Sequence, residues 1–326
     1  MKFWYQAKQQ HWIKIILLLP LSGLFYLVAN ARRLAFKWSW LKSYRPPVPV
    51  AIVGNISVGG NGKTPVVLAL VEAAKQRGFM PAVVSRGYGG KAPHYPFIVN
   101  ATSQSSECGD EPLLIHQRTQ CPVIVDPNRS AACKVAVEQG SDLIICDDGM
   151  QHYALQRDIE IAVIDAQRGL GNGLCLPAGP LRETASRLSM VDLLVSNGEP
   201  LFNAHSHLLQ LQASGLRRVR DQQLVKDVTE FEAAIAGIGN PARFFDSLEG
   251  LGFDCKQRVS LDDHKHLSEE QHKELLEKRI IMTEKDAIKY RHTAGDEWYY
   301  LPVDSMLPDA FYQQFFSLLQ EKIHVS

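Results

Sequence analysis

The chain has 326 residues with 35 Lys+Arg against 35 Asp+Glu, a length that suggests two domains and a charge balance that conceals a division. Residues 1–50 hold eight basic side chains (Lys2, Lys8, Lys14, Arg32, Arg33, Lys37, Lys42 and Arg45) and no Asp or Glu, which leaves the remainder at −8. An acidic body argues against nucleic acid as a partner, 45% apolar and 21% charged residues exclude a disordered chain, and six scattered cysteines without a C-x-x-C pair suggest neither a zinc knuckle nor a disulfide framework.

The first feature is an uncharged run over residues 15–31, which as a helix covers about 26 Å at about 1.5 Å per residue, slightly short of a hydrocarbon core of about 30 Å. Pro20 and Gly23 weaken it, while Trp4, Trp12, Trp38 and Trp40 flank it among basic side chains, as residues at headgroup level do. A secretory signal fits the basic start and Ala29-Asn30-Ala31, but the nucleotide motif that follows needs cytosolic ATP. A buried core helix leaves the Trp and Arg/Lys flanks unexplained. The favoured reading is an uncleaved helix in the cytoplasmic face of an anionic membrane.

Residues 49–53 read as a short buried strand and residues 66–75 as a helix. Between them runs Ser57-Val58-Gly59-Gly60-Asn61-Gly62-Lys63-Thr64, the setting that a Walker A phosphate loop requires. Glycines let successive backbone N–H groups turn toward a β-phosphate; Lys63 would reach the β/γ oxygens of ATP and Thr64 would ligate Mg²⁺. The usual first glycine falls at Ser57, with Gly54, Gly59 and Gly60 nearby. Residues 142–148 read as a buried strand ending in Asp147 and Asp148, as a Walker B magnesium site does. Further strands at 82–85, 123–126 and 161–165 with helical stretches between them predict an α/β fold: a P-loop NTPase-like α/β/α domain with a largely parallel sheet.

The remaining motifs are weaker singly. Ser85-Arg86-Gly87-Tyr88-Gly89-Gly90 could be a plain turn, although Arg86 at a strand's carboxyl end could face a phosphate. Asp110 and Glu111 precede a helical stretch, where helix-dipole compensation explains one acid and not two. Gln151-His152 and Arg182-Glu183 lie in polar loops that could be ordinary surface. Residues 236–242 resemble a dinucleotide fingerprint but lack the acidic residue that should follow, and read instead as a strand-to-helix turn with Pro241 opening the helix. Asp263-His264-Lys265-His266 is a poor zinc site, but a His beside carboxylates suits acid/base work; a capping box at Ser268 and Gln271 follows. Residues 280–287 read as a strand running into a charged turn, or more plainly into a solvated helix start.

Taken in order, Gly-Gly-Asn-Gly-Lys-Thr-Pro, Ser-Arg-Gly-Tyr-Gly, Gly-Asp-Glu-Pro, Asp-Asp-Gly-Met-Gln-His, Pro-Ala-Gly-Pro-Leu-Arg-Glu, Asp263-His264 and Thr-Glu-Lys-Asp-Ala resemble one family, the tetraacyldisaccharide 4′-kinases of Gram-negative bacteria. The resemblance implies transfer of the γ-phosphate of ATP to the 4′-hydroxyl of an acylated glucosamine disaccharide 1-phosphate at the cytoplasmic face of the inner membrane, giving lipid IV-A. It also implies that Asp110 is the catalytic base, that His264 pairs with it, that Asp147 and Asp148 are the Walker B carboxylates and that Glu183 helps hold Mg²⁺. A partitioning-type ATPase is the rival of another class, but Val58 stands where its signature lysine belongs; a kinase of a different lipid or small molecule is another. The expected organisation is a membrane helix over 1–34, a P-loop kinase domain over 35–190, a smaller α/β domain with linker strands over 191–303 and a C-terminal helix over 304–326 that packs back on the first domain.

Overall fold

A computed structural model describes residues 2–5, 12–200 and 206–323. Lys8 of the basic arm lies outside the described residues, as do the other members of 6–11. The chain opens with α1 (Trp12–Lys37), β1 (Val50–Gly54), α2 (Lys63–Gln76), β2 (Pro81–Ser85), β3 (Phe97–Ile98), α3 (Ser105–Cys108) and α4 (Asp110–Thr119). It continues through β4 (Val123–Val125), α5 (Arg129–Glu138), β5 (Leu143–Asp147), β6 (Ile159–Asp165), β7 (Leu193–Asn197) and β8 (His207–Ala213). After β9 (Arg217–Arg218) come β10 (Glu230–Ala236), α6 (Pro241–Gly250), β11 (Asp254–Ser260), α7 (Glu269–Leu275), β12 (Ile280–Thr283) and α8 (Glu284–Tyr290). The last elements are β13 (Trp298–Leu301), β14 (Val303–Met306) and α9 (Asp309–Ile323).

The larger sheet has the order β14-β8-β7-β6-β1-β5-β2-β4-β3, parallel throughout except for its two edge strands. Its central strands are buried on both faces, as a parallel sheet covered by helices requires. Side chains alternate between the two: Ala51 and Val53 join a core with α2, α4 and α9, whereas Val50 and Ile52 join one with α5 and the loops after β5. On α9, Phe311, Phe315 and Leu319 recur every four residues and are all buried against that first core.

The smaller sheet, β11-β10-β12-β13-β9, is parallel except for β9 and carries α6 on one face and α7 and α8 on the other. The sequence-based edge at 190 differs from the strand pairing: β7 and β8 extend the large sheet, and β14 returns to it. A hydrophobic run such as residues 193–197 looks the same in either sheet, because partner choice is a tertiary decision. The two crossings between units lie side by side, with Ser214 N donating to Pro302 O at 3.0 Å.

Helix α1 runs unbroken through Pro20 and Gly23 for 26 residues, about 39 Å, so it is longer than its uncharged run and long enough to cross a membrane. Its outer face exposes Ile13, Ile16, Leu17, Leu24 and Leu27, and only Ser22 is buried, donating to Cys175 O at 2.7 Å. By length, composition and exposure this helix is the candidate for association with a membrane.

Candidate functional site

The site begins where β1 ends. The loop after Gly54 turns into α2, whose N-cap is Gly62 at φ +86°, and a Cβ there would stand 2.3 Å from Asn197 Nδ2, so only glycine fits. Asn197 Nδ2 donates to Asn61 O (3.2 Å), Arg168 donates to Gly60 O, Asn61 Nδ2 donates to Ser57 Oγ (3.3 Å), and Val58 N donates to Pro180 O (2.9 Å). With these groups tied back, the free N–H groups of the first turn of α2 are what the loop presents, together with Lys63 and Thr64.

Beside β1, at the carboxyl end of β5, stand Asp147 and Asp148, with Asp147 in register with Val53. Their surroundings drive them apart. Burial raises Asp148, but Lys63 (3.5 Å) and Arg182 (3.2 Å) outweigh it and hold its carboxyl down at about 2. Asp147 is only 1% exposed; burial, reinforced by Glu111, pushes it up to about 7, and neither of its oxygens has a hydrogen-bond partner. A buried carboxylate without a donor is costly unless a cation faces it, so the donor set of Thr64, Asp147 and Asp148 fits Mg²⁺. Among the described residues no group of three His, Cys, Asp or Glu is spaced to hold a metal.

Glu183 is already occupied. Its Oε1 accepts from Gln151 Nε2 at 2.7 Å, and its Oε2 accepts from Tyr153 Oη and faces Arg187 Nε at 3.4 Å. Gln151 Oε1 in turn accepts from Arg182 (3.2 Å), so Glu183 reaches Asp148 through two side chains. His152 is pushed down to about 4 by burial and by the guanidinium groups of Arg129, Arg157, Arg32 and Arg86, which marks a cationic corner that would receive an anion. Arg86 is exposed there, and buried Arg129 donates to Asp148 O at 3.0 Å.

The opposite wall joins the two units. Asp110 opens α4, buried, and its Oδ2 meets His264 Nδ1 at 3.2 Å and Lys289 Nζ at 3.7 Å. Among the described residues no group pairs with its Oδ1. His264 sits on the loop after β11 at φ +65°, with Tyr88 edge-on to its ring at 4.9 Å. Its Nε2 faces Lys285 Nζ at 3.3 Å, and that lysine also contacts Glu111 and Asp263 at 3.0 Å each. Burial raises Glu111, but Lys285 and Lys63 outweigh it and keep it low.

The expected charged turn after residue 283 is instead helix α8, and it is not solvated: Asp286 and the Lys289 side chain are fully buried and paired at 2.8 Å, with Thr283 capping the helix and donating to Asp286. The turn at Gly237-Ile238-Gly239, expected only to join a strand to a helix, packs its backbone on the phosphate loop; a Cβ on Gly239 would lie 2.6 Å from Gly60 N. Sequence reading thus missed Lys285, Lys289, Gly239, Asn197, Arg168 and Arg129. The Thr-Glu-Lys-Asp-Ala motif was visible, but no local periodicity tells a buried charge from a solvated one. Between the units, beside the loop, lies a cavity of about 800 Å³ walled by Leu209, Leu211, Ile238, Phe244 and Arg243.

The chain as a whole is similar to known proteins. A family model described as tetraacyldisaccharide-1-P 4′-kinase matches residues 14–320. The chain is 49% identical over 325 residues to the tetraacyldisaccharide 4′-kinase of Tolumonas auensis, covering 99% of this chain and 98% of that protein. It is 46% identical to the one of Mannheimia succiniciproducens, with 99% of each covered. Among solved structures it is similar to LpxK from Aquifex aeolicus, described as an apo form in complex with ATP, at a TM-score of 0.76 and 27% identity, covering 94% of this chain and 99% of the other.

Proposed function

The chain belongs to the tetraacyldisaccharide-1-P 4′-kinase family, and we propose that it moves the γ-phosphate of ATP to the 4′-hydroxyl of its lipid in a cleft closed between its two units. It is a phosphotransferase with an alcohol acceptor, it uses ATP, and it acts in lipid A biosynthesis on a lipid disaccharide. Phosphoryl transfer asks the protein mainly for position and charge compensation. Lys63 and the N–H groups of the loop would take the phosphates, and the apolar cavity beside them would take the nucleoside. Thr64, Asp147 and Asp148 would hold Mg²⁺, which supplies charge neutralisation at the β/γ oxygens when bound. Glu183 supports that set through Gln151 and Arg182.

The observation that carries the reading is Asp110: one carboxylate oxygen is held by His264 and Lys289 and the other is free to accept the proton of a sugar hydroxyl. The cationic corner of Arg32, Arg86, Arg129 and Arg157 suits a phosphate of the lipid. Helix α1 ends at this corner, with Arg32 donating to Gln151 O at 3.4 Å and Phe36 packed on Tyr153 at 6.4 Å. The acyl chains can therefore stay in an anionic inner membrane, at its cytoplasmic face, while the sugars reach the cleft. The test is label transfer from γ-labelled ATP to the purified disaccharide 1-phosphate in detergent micelles. ATP hydrolysis at the same rate without the acceptor would sink it. Deleting residues 1–34 should cost activity on bilayer substrate far more than ATP affinity, and equal loss of both would make the helix merely structural.

A further inference from the structure

We infer that Lys285 is a positioning residue of the transfer step, donating to His264 Nε2 within the smaller unit and thereby fixing that ring as the Nδ1–H tautomer that supports Asp110. The inference rests on the reading above that Asp110 accepts the hydroxyl proton. An ammonium has three donors and no acceptor, and Lys285 has three acceptors around it: Glu111 Oε1 at 3.0 Å, Asp263 Oδ1 at 3.0 Å and His264 Nε2 at 3.3 Å. A nitrogen that accepts from an ammonium carries no proton. The ring proton must then sit on Nδ1, where it can donate to Asp110 Oδ2 at 3.2 Å.

The competing arrangement would have Asp263 accept from an Nε2–H. Its Oδ1 is 3.7 Å from Nε2, beyond hydrogen-bond reach, and is already taken by Lys285. Burial pulls the Lys285 ammonium down, but Glu111 and Asp263 outweigh it and raise its pKa, so it stays charged. The Lys285–His264 contact lies within the smaller unit, whereas the contacts to Glu111 and Asp110 on α4 exist only when the units meet. Closing the cleft would thus complete the acid/base set in the same movement that brings Gly239 onto the phosphate loop.

A plain interdomain ion pair would account for the Glu111 contact alone and would leave the ring indifferent to Lys285. The groups facing His264 are Asp110 and Glu111 on α4, Lys285 on α8 with Lys289 behind Asp110, Asp263 on its own loop, and Tyr88 after β2. With the cation gone, three carboxylates face the ring and favour its imidazolium. Lys285→Met should therefore lower kcat by roughly 10–100-fold and move the acid limb of the kcat–pH profile up by about one unit, leaving KM for ATP nearly unchanged. Lys285→Arg should keep the limb in place.

The direct readout is the ¹⁵N spectrum of histidine-labelled full-length protein in micelles with ATP, the ring assigned by His264→Gln. Wild type should show the Nδ1–H pattern and Lys285→Met should lose it. Asp263→Ala, which removes the rival acceptor at a part-exposed position, should retain it. A wild-type tautomer and an unmoved acid limb in Lys285→Met would overturn the proposal whatever happens to stability. So would a switched tautomer in Asp263→Ala, which keeps the test alive should Lys285→Met not fold. Full turnover in Asp110→Ala would instead overturn the reading beneath it.

Discussion

The two walls of the cleft are built in opposite ways. The phosphate wall is made by one unit: the carboxyl ends of neighbouring strands β1 and β5 set the loop, Lys63, Asp147 and Asp148 within a few ångströms, where ligands of open parallel sheets bind. The acid/base wall is shared, because Asp110 comes from α4 of the large unit while His264, Lys285 and Lys289 come from the small one. A rigid sheet would thus hold the phosphates of ATP ready whatever the small unit does, while the proposed proton transfer would wait for both units to meet, which would keep water from a half-assembled site.

The largest effects should come from the phosphate wall. Lys63→Ala removes a charge that serves the transferring group in the transition state, and kcat should fall by roughly 10²–10³-fold in the micelle assay. Asp147→Asn should be comparably damaging to turnover yet stabilise the nucleotide-free protein. The carboxyl of Asp147 is raised in the fold to about 7, so its favourable, protonated form is fully present below its unfolded pKa and lost as pH rises through about 7. The Tm gain of the Asn variant should therefore be clear at pH 8 and shrink at pH 5. For the same reason Mg²⁺ affinity in wild type should weaken about tenfold per pH unit below 7, as the ion competes with a proton. A pH-independent affinity would place the ion elsewhere.

The shared wall should respond next. Gly239→Ala places a Cβ 2.6 Å from the backbone of Gly60, which cannot swing aside as a side chain could. It should hold the units apart and lower kcat by about 10²-fold, the cost of roughly 1 Å of misplacement, with far-UV circular dichroism unchanged. The smallest effect belongs to Arg118→Met. Arg118 ties α4 to Glu284 at 3.0 Å across the units, but the pair is part-exposed and should contribute only about 1 kcal/mol in denaturant unfolding.

The same contrast explains what could be read from the sequence. The phosphate wall was legible because its residues are close along the chain: Ser57 to Thr64 form one loop, Asp147 and Asp148 one strand end, and the geometry follows from local backbone rules. In the shared wall, Asp110 and His264 stood out locally as one of two acids at a helix start and as a His beside carboxylates, but only the family resemblance paired them. Lys285 and Lys289 look like solvated helix charges until β12 and α8 are folded against α4, and Gly239 looks like a turn until it meets Gly60. The sheet that β7 and β8 join was hidden for a related reason, since a buried strand does not announce its partner.

One measurement bears on the shared wall most directly: single-turnover transfer of labelled phosphate from ATP to the disaccharide 1-phosphate by wild type and Asp110→Ala, with ATP affinity measured in parallel. A carboxylate that takes the hydroxyl proton predicts a loss of at least ~10²-fold in the transfer rate with ATP affinity unchanged. Transfer by the variant within about threefold of wild type would contradict it.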